Sequence, residues 1–318
     1  MDIYHYPVLK NEVLKFWVNT ILLTKKEIII VDATCGEGGH SLALLEKAQK
    51  ENWLLKLKLI CLDQDQEILK LAKKRLTKYK NNTIFINANF KDIELEMEKL
   101  GIKKVNGILL DLGISTYHYK KSGRGFSFNK SEPLDMRLDK NQKLTAEVII
   151  NTWNEKDLEK IFKDYGEERF SRRIARFITE KRKLMSIKTS HELAEIIKSA
   201  IPRKFWPKHI HPATKIFQAL RIAVNQELEN LKQSLEKIIN ILTPKGRILV
   251  ISFHSLEDRI VKKYFKNLNL DKLDDIYGRI MEEAPFDILT KKPICASSVE
   301  LAQNPASRSA KLRIVQRR

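Results

Sequence analysis

Acidic, amide and aromatic side chains stand at the ends of four short apolar runs in the first third of the chain. The runs are "EIIIVDA", "LKLICLD", "NTIFINA" and "NGILLDLG". The first leads into "TCGEGGHS", which holds Gly36, Gly38 and Gly39; the others end at or near Asp63, Asn89 with Phe90, and Asp111. Glycines after a first strand let backbone approach a ligand closely. An acid ending the second strand suits ribose hydroxyls, and Asn89 and Phe90 offer an adenine a polar partner and an apolar face. A nicotinamide dinucleotide would want G-x-G-x-x-G, but Gly36 and Gly38 are followed by Ser41 in the third position. S-adenosylmethionine carries no pyrophosphate and needs only close backbone, a partner for its amino-acid end and an acid for its ribose. The residues favour that cofactor.

The elements that must place these groups follow from periodicity. Strand-like runs alternate with helix-period segments such as Ser41–Lys50 and the steps Ile68, Leu69, Ala72 and Leu76. Alternation of this kind implies parallel βαβ units with right-handed crossovers. In such sheets ligands bind at the carboxyl ends of the strands, where all four candidate positions fall. Near residue 115 the texture changes to a loop bearing glycine, serine and proline, "YHYKKSGRGFSFNKSEPLDMR", and residues from roughly 143 to 200 read as helices only. Thr189 and Glu192 have capping-box spacing there. Phe217, Leu220, Val224, Leu228, Leu231, Leu235, Ile238 and Leu242 then predict one long amphipathic helix ended by "TPKG". A fifth strand, "RILVISF", follows. Ser255, three residues before Asp258, predicts a cap on the next helix, and "FDILTKKPI" and "SAKLRIVQR" are further strand candidates. The expected organisation is an α/β core over 1–118 and 209–318, with an inserted helical substrate-recognition domain over 119–208.

Lys and Arg total 59 against 40 Asp and Glu, giving a formal charge of +19 and a pI near 9.7. That surplus suits a polyanionic partner such as nucleic acid. Cys35, Cys61 and Cys295 are an odd, unclustered set, which argues against a disulfide framework or a zinc site and fits a reducing cytoplasm. The N-terminal stretch has no signal-peptide core, and no apolar run is long enough to span a bilayer. Residues 169–183, "RFSRRIARFITEKRK", carry seven basic side chains, with Phe170, Ile174, Phe177 and Ile178 as an apolar stripe. Arg169, Arg172, Arg173 and Arg176 are candidates for phosphate contacts. The loop before it adds Arg124 and Arg137, with Lys120, Lys121 and Lys130, and Phe126 and Phe128 as stacking candidates.

The blocks "HYPVLKNEVL", "DATCGEGGHS", "DLGIST", "RGFSF", "PLDMRLD", "YGEERFSRRIA", "HPATKIFQALRIAVNQELE", "ISFHSLEDRIVK" and "NPASRSAKLR" resemble, in order, those of the bacterial small-subunit rRNA cytosine-N4 methyltransferases. The resemblance runs from about residue 5 to the C-terminal end. It implies a class I S-adenosylmethionine-dependent fold, Rossmann-like with a mostly parallel sheet and an inserted all-helical domain. It implies methylation of the exocyclic amine of a cytosine in the decoding region of 16S rRNA, with the small ribosomal subunit as partner. Carried over position by position, it puts cofactor contacts on Gly38, Gly39, His40, Asp63, Phe90, Asp111 and His118. At the last of these the family pattern often has Gln.

A cytosine amine is a poor nucleophile because its lone pair is delocalised into the ring. The enzyme must align nitrogen and methyl and give the amine hydrogens an acceptor, and alignment alone supplies roughly 7–11 kcal/mol in favourable cases. Asp111 and Ser115, in "DLGIST", are the acceptor candidates. The resemblance assigns Asp111 to the cofactor, which leaves Ser115 or a backbone oxygen for the amine. Carbon-5 methylation would need a cysteine nucleophile, but Cys35 is in the glycine turn, Cys61 inside a strand and Cys295 in the tail, none of them just after the fourth or fifth strand where it would serve. His254 and Ser255, after the fifth strand, are expected at the same rim, as a turn and cap or as catalytic groups.

Overall fold

The computed structural model describes residues 6–21, 27–208, 210–273 and 280–318, so His5 of the first block lies outside the described residues. The chain forms two compact units, 1–113 with 228–318, and 114–227.

In the first unit the elements are α1 (Lys10–Ile21), β1 (Ile28–Asp32), α2 (Gly39–Lys50), β2 (Leu57–Asp63), α3 (Gln66–Arg75), β3 (Thr83–Asn87), α4 (Ile93–Lys99) and β4 (Val105–Asp111). The second unit carries α5 (Thr116–Lys120), α6 (Ala146–Thr152), α7 (Glu155–Asp164), α8 (Ser171–Leu184), α9 (Ser190–Ala200) and α10 (Thr214–Asn225). The chain then returns through α11 (Glu227–Ile238), β5 (Leu242–Ser252), α12 (Ser255–Leu268), β6 (Lys272–Leu273), β7 (Ile280–Glu282), β8 (Phe286–Ile288), α13 (Ser298–Gln303) and β9 (Lys311–Arg317).

Seven strands form one sheet in the order β3-β2-β1-β4-β5-β9-β8, and β6 and β7 pair separately. The first five are parallel, and β9 runs antiparallel between β5 and β8. The strand order reverses between β1 and β4, which makes the crevice above their carboxyl ends the switch point of the sheet. Alternate side chains feed two cores. Leu109, Leu249 and Ile251 face the layer with Trp17, Leu44, Leu45 and Leu76, while Ile108, Leu110, Ile248 and Val250 face Met97, Leu231, Leu235, Val261 and Phe265. A sheet covered on both faces reads as the near-continuous apolar runs seen in the sequence. The helical unit has its own core around Leu134, Ile149, Phe162, Ile178, Leu193 and Leu220.

Three expectations need correction. The single long helix is two helices, because Gln226 adopts a left-handed conformation (φ 51, ψ 36) between α10 and α11. Asn225 is drawn aside by accepting from the Leu138 amide and donating to the Met136 carbonyl, and Arg221 grips Glu227 through two 2.9 Å bonds across the break. One left-handed residue barely disturbs a 3.6-residue pattern, so periodicity does not report it. "TPKG" does not end a helix but loops out within β5, between the pairs Val105↔Leu242 and Gly107↔Arg247. The cap of α12 is His254 rather than Ser255, and its capping box closes with Glu257. The helical unit spans 114–227, with edges beyond the 119–208 read from the sequence.

Candidate functional site

Past the end of β1 the chain stays tied to both neighbouring strands. The Ala33 amide donates to the Leu109 carbonyl, the Cys35 amide to the Leu62 carbonyl, and the Asp111 amide to Thr34 Oγ1 at 2.6 Å. The glycine turn that follows has Gly36 at φ 54 and Gly38 at φ 78. A Cβ on Gly38 would also meet Leu76 at 3.3 Å, and one on Gly39 would meet Pro7 at 3.2 Å. Conformation and close packing thus both select glycine at this turn. Asp63 is its brace: one carboxylate oxygen accepts from the Gly36 amide at 2.8 Å, the other from the Asp65 amide at 2.9 Å. Asp65 in turn caps α3 by accepting from the Glu67 amide.

Around this turn lie buried polar atoms with no hydrogen-bond partner among the described residues: both ring nitrogens of His40, Oδ1 of Asp111 and Oδ1 of Asp32. His40 Nε2 stands 3.5 Å from Asp111 Oδ2. Asp32 is 1% exposed, and its Oδ2 accepts from Ser41 Oγ at 2.7 Å. Burial pushes its carboxyl up to about 6; His40 and the Ser41 hydroxyl pull it down, and Asp111 and Asp63 push it up. Asn89 caps the short turn Phe90–Asp92 by accepting from the Lys91 amide and donates to Gln64 Oε1 at 2.6 Å. Phe90 is half-buried against the core. The Cys35 thiol lies well above its ordinary value because of its hydrogen bond with Cys61 and its burial. A thiol so placed is inert. Sequence reasoning missed Asp32, Thr34, Ser41 as an acid partner, and Pro7. Asp32 ends its strand as Asp63 and Asp111 do, and that signal could have found it.

After β5, His254 Nε2 is 3.1 Å from Glu257 Oε1, and Glu257 Oε2 accepts from the Phe253 and His254 amides. A Cβ on Gly113 would come within 3.0 Å of the Phe253 ring, so this turn presses on the loop that begins at Asp111. The structure therefore gives His254 the work of a cap, with Ser255 as the first helical residue.

Ser115 and His118 belong to the helical unit. Ser115 caps α5 by accepting from the Tyr117 amide at 3.1 Å. His118 is buried, with its ring centroid 5.1 Å from that of Phe126. The arginine candidates divide. Arg124 is buried and donates to the Arg137 and Leu138 carbonyls, so it is turned away from any phosphate. Arg137 grips Asp135 through bonds of 2.7 and 2.8 Å and also donates to the Lys140 and Gln142 carbonyls. Burial raises the Asp135 carboxyl, but Arg137 outweighs it and holds the group below its usual range. Both arginines staple their own loop, because a loop poor in regular structure leaves carbonyls that need donors. Phe126 is buried and Phe128 stacks on His211 at 4.4 Å, so neither is a free stacking surface. On α8, by contrast, Arg172, Arg173 and Arg176 are exposed while Ile174, Ala175 and Ile178 are buried, as the apolar stripe requires.

The sequence model of the MraW methylase family matches residues 2–318. The chain is 48% identical over 313 residues to the Ribosomal RNA small subunit methyltransferase H of Sulfurihydrogenibium sp. (strain YO3AOP1), covering 98% of this chain and 99% of that one. It is 47% identical to the protein of that name from Persephonella marina (98% and 99% covered), and 44% identical to that from Oceanobacillus iheyensis (98% and 94% covered). The chain belongs to the MraW methylase family.

Membership makes it a methyltransferase with S-adenosylmethionine as donor, on the class I, Rossmann-like fold that the sheet order displays. The residues fit such a donor. It is a cation with hydroxyls and an amine, and the turn offers acids (Asp32, Asp63, Asp111), bare backbone (Gly38, Gly39) and unmet acceptors and donors on Asp111 and His40. Asp63 is held in place by accepting from the Gly36 and Asp65 amides.

Proposed function

We propose that this MraW-family methyltransferase methylates the exocyclic N4 amine of a cytosine in the decoding, P-site region of 16S rRNA in the small ribosomal subunit. The observation that carries the reading is the set of buried, unpartnered polar atoms on His40, Asp111 and Asp32 around the glycine turn, at the switch point of the sheet. The ordered blocks of the sequence and the printed names of the relatives support the rRNA substrate.

Gly38, Gly39, His40, Asp63, Phe90, Asp111 and His118 hold the donor. S-adenosylmethionine, when bound, supplies an electrophilic methyl group. Asp63 binds ribose hydroxyls, Phe90 packs on adenine, and Asp111, held toward His40, orients the amino-acid end. Ser115 or a backbone oxygen would accept a hydrogen bond from the cytosine amine, and its proton would leave to water as the methyl passes from the sulfonium, which becomes a thioether, to the nitrogen. The target base must leave any stack to reach the donor. The inserted helical segment holds the RNA for that step, with Arg169, Arg172, Arg173 and Arg176 meeting phosphates. Arg124 and Arg137, committed to their own loop, are left out of that set. Cys35 and Cys61 are buried and Cys295 is a free, exposed thiol of the C-terminal part, which gives no support to attack on carbon 6 of the ring for carbon-5 methylation. No helix among the described residues is long and apolar enough to cross a membrane, and a cytoplasmic location is inferred from the proposed action on ribosomal subunits.

The test is transfer of labelled methyl groups to unmodified small subunits, followed by digestion to nucleosides. Label in N4-methylcytidine is expected; label on carbon 5 or on a ribose would overturn the reading.

A further inference from the structure

On the helical unit, the start of α8 meets the short turn Arg203–Phe205. The rings of Phe170 and Phe205 are 5.3 Å apart, and the Arg169 guanidinium lies over both, 5.0 Å from the first centroid and 4.6 Å from the second. Lys204 Nζ is 5.1 Å from the Phe205 centroid on the same turn. Trp206 beside it is fixed by its Nε1 bond to the Ile201 carbonyl at 2.9 Å, and carries Lys198 and Arg203 at 5.8 and 6.0 Å. From this point Arg172, Arg173 and Arg176 run along α8 and line an open groove with Phe170 and Phe177. The acid in that lining, Glu180, is paired with Arg176.

Phe205 stays 39% exposed although apolar neighbours are at hand. Its ring is braced by cations rather than buried, and the exposed side chain of Arg169 lies over both rings. A braced, exposed aromatic beside a row of exposed guanidinium groups matches a ligand that has both flat π-faces and a chain of negative charge. An acidic peptide has the charge without the faces. A duplex has the charge, but its base faces are shut inside the stack.

We propose that this surface binds a single-stranded RNA segment, with one unstacked base on Phe205 and the neighbouring phosphates on Arg172 and Arg173. The proposal rests on the rRNA reading above and deepens it, by naming unpaired RNA as what the insertion grips. Stacking on aromatic rings tolerates any base, so the platform adds affinity without choosing the sequence.

The experiment is fluorescence anisotropy with the full chain and no methyl donor, using a labelled unstructured pyrimidine oligoribonucleotide and a labelled RNA duplex of equal length. The wild type is expected to prefer the single strand. Phe205→Ala should weaken single-strand binding between about 5-fold and about 150-fold, the span of one base–aromatic stack, and leave duplex binding unchanged. Phe205→Tyr should keep the preference and Phe205→Leu, of similar bulk without a π-face, should lose it, which separates a stacking role from a packing one. Arg172→Gln and Arg173→Gln should each reduce the salt slope for the single strand by about 0.7. Equal binding of strand and duplex by the wild type overturns the proposal, as does Phe205→Ala with unchanged single-strand affinity or a tighter grip on a poly-glutamate peptide than on RNA. The two readings fail separately. Methylation of small subunits with no Phe205 effect rejects the platform alone. A Phe205-dependent single-strand preference without methyl transfer upholds the platform and rejects the catalytic reading.

Discussion

The glycine turn and the arginine face of α8 solve opposite problems. The turn is built from backbone: Gly36 and Gly38 in left-handed conformations, amides pinned to Asp63, and polar atoms of His40, Asp32 and Asp111 buried without partners. The α8 face is built from side chains that stay in water, with Arg172, Arg173 and Arg176 outward over a buried apolar stripe. A small ligand needs preformed, desolvated contacts, because each unmet buried group costs about 1–3 kcal/mol until it is paired. A polymer is held by many weak charged contacts that need no burial. The first kind of site should therefore fail abruptly when altered and the second gradually.

Asp111→Ala is the sharpest way to break that contrast. It removes a charged partner from the proposed donor site, so affinity for S-adenosylmethionine by calorimetry and methyl transfer should each fall by about 100-fold or more, with the melting temperature kept. A variant with normal affinity and turnover would show that the turn is no more demanding than a surface.

Asp32 comes next. Its folded value, about 6, is raised from 3.8. A raised carboxyl means the folded state binds the proton more tightly than the unfolded one, so stability is lost as pH rises through that window. The loss is about 3 kcal/mol at most. Asp32→Asn should flatten the pH dependence of chemical denaturation between about pH 4 and 6 and leave the donor-free protein more stable than wild type at pH 7.5. Identical curves for the two proteins would remove Asp32 from the strained set.

For the arginine face, replacing Arg172, Arg173 and Arg176 together by Gln should raise KM for small subunits by about 30-fold at moderate salt while kcat holds, and flatten the salt dependence. A fall in kcat with KM unchanged would mean the row acts on chemistry rather than on docking. The smallest effect belongs to Arg137→Gln. It should cost about 1 kcal/mol of stability by denaturant titration and leave KM for small subunits untouched, in contrast to the arginines of α8.

That last pair shows where residue type stops informing. Arg124 and Arg137 have the same chemistry as Arg172 and also stand in a stretch bearing several Lys and Arg. Their guanidinium groups face inward because the loop between 120 and 142 folds its own carbonyls toward them. Only the path of the backbone decides that. The α8 arginines were legible because a helix has a fixed period, so burying Ile174 and Ile178 forces Arg172 and Arg176 out. Phe126 and Phe128 looked like stacking groups by composition, yet packing against His118 and His211 consumed them. Phe205 carried no periodic signal and became conspicuous only beside Arg169.

By itself the sequence determined the alternation of strands and helices, the strand ends that carry Asp63 and Asp111, and the glycine turn, since these depend on local periodicity and on conformations few residues can adopt; Phe90 falls in a short turn beyond the end of β3 at Asn87. Tertiary structure alone decided the break at Gln226 and the division of the arginines between staples and surface. Those outcomes hang on contacts that no short window of sequence records: Asn225 with Leu138, and Arg124 with the Arg137 carbonyl. A local pattern holds no record of which distant donor will reach which acceptor, so only the folded chain settles them.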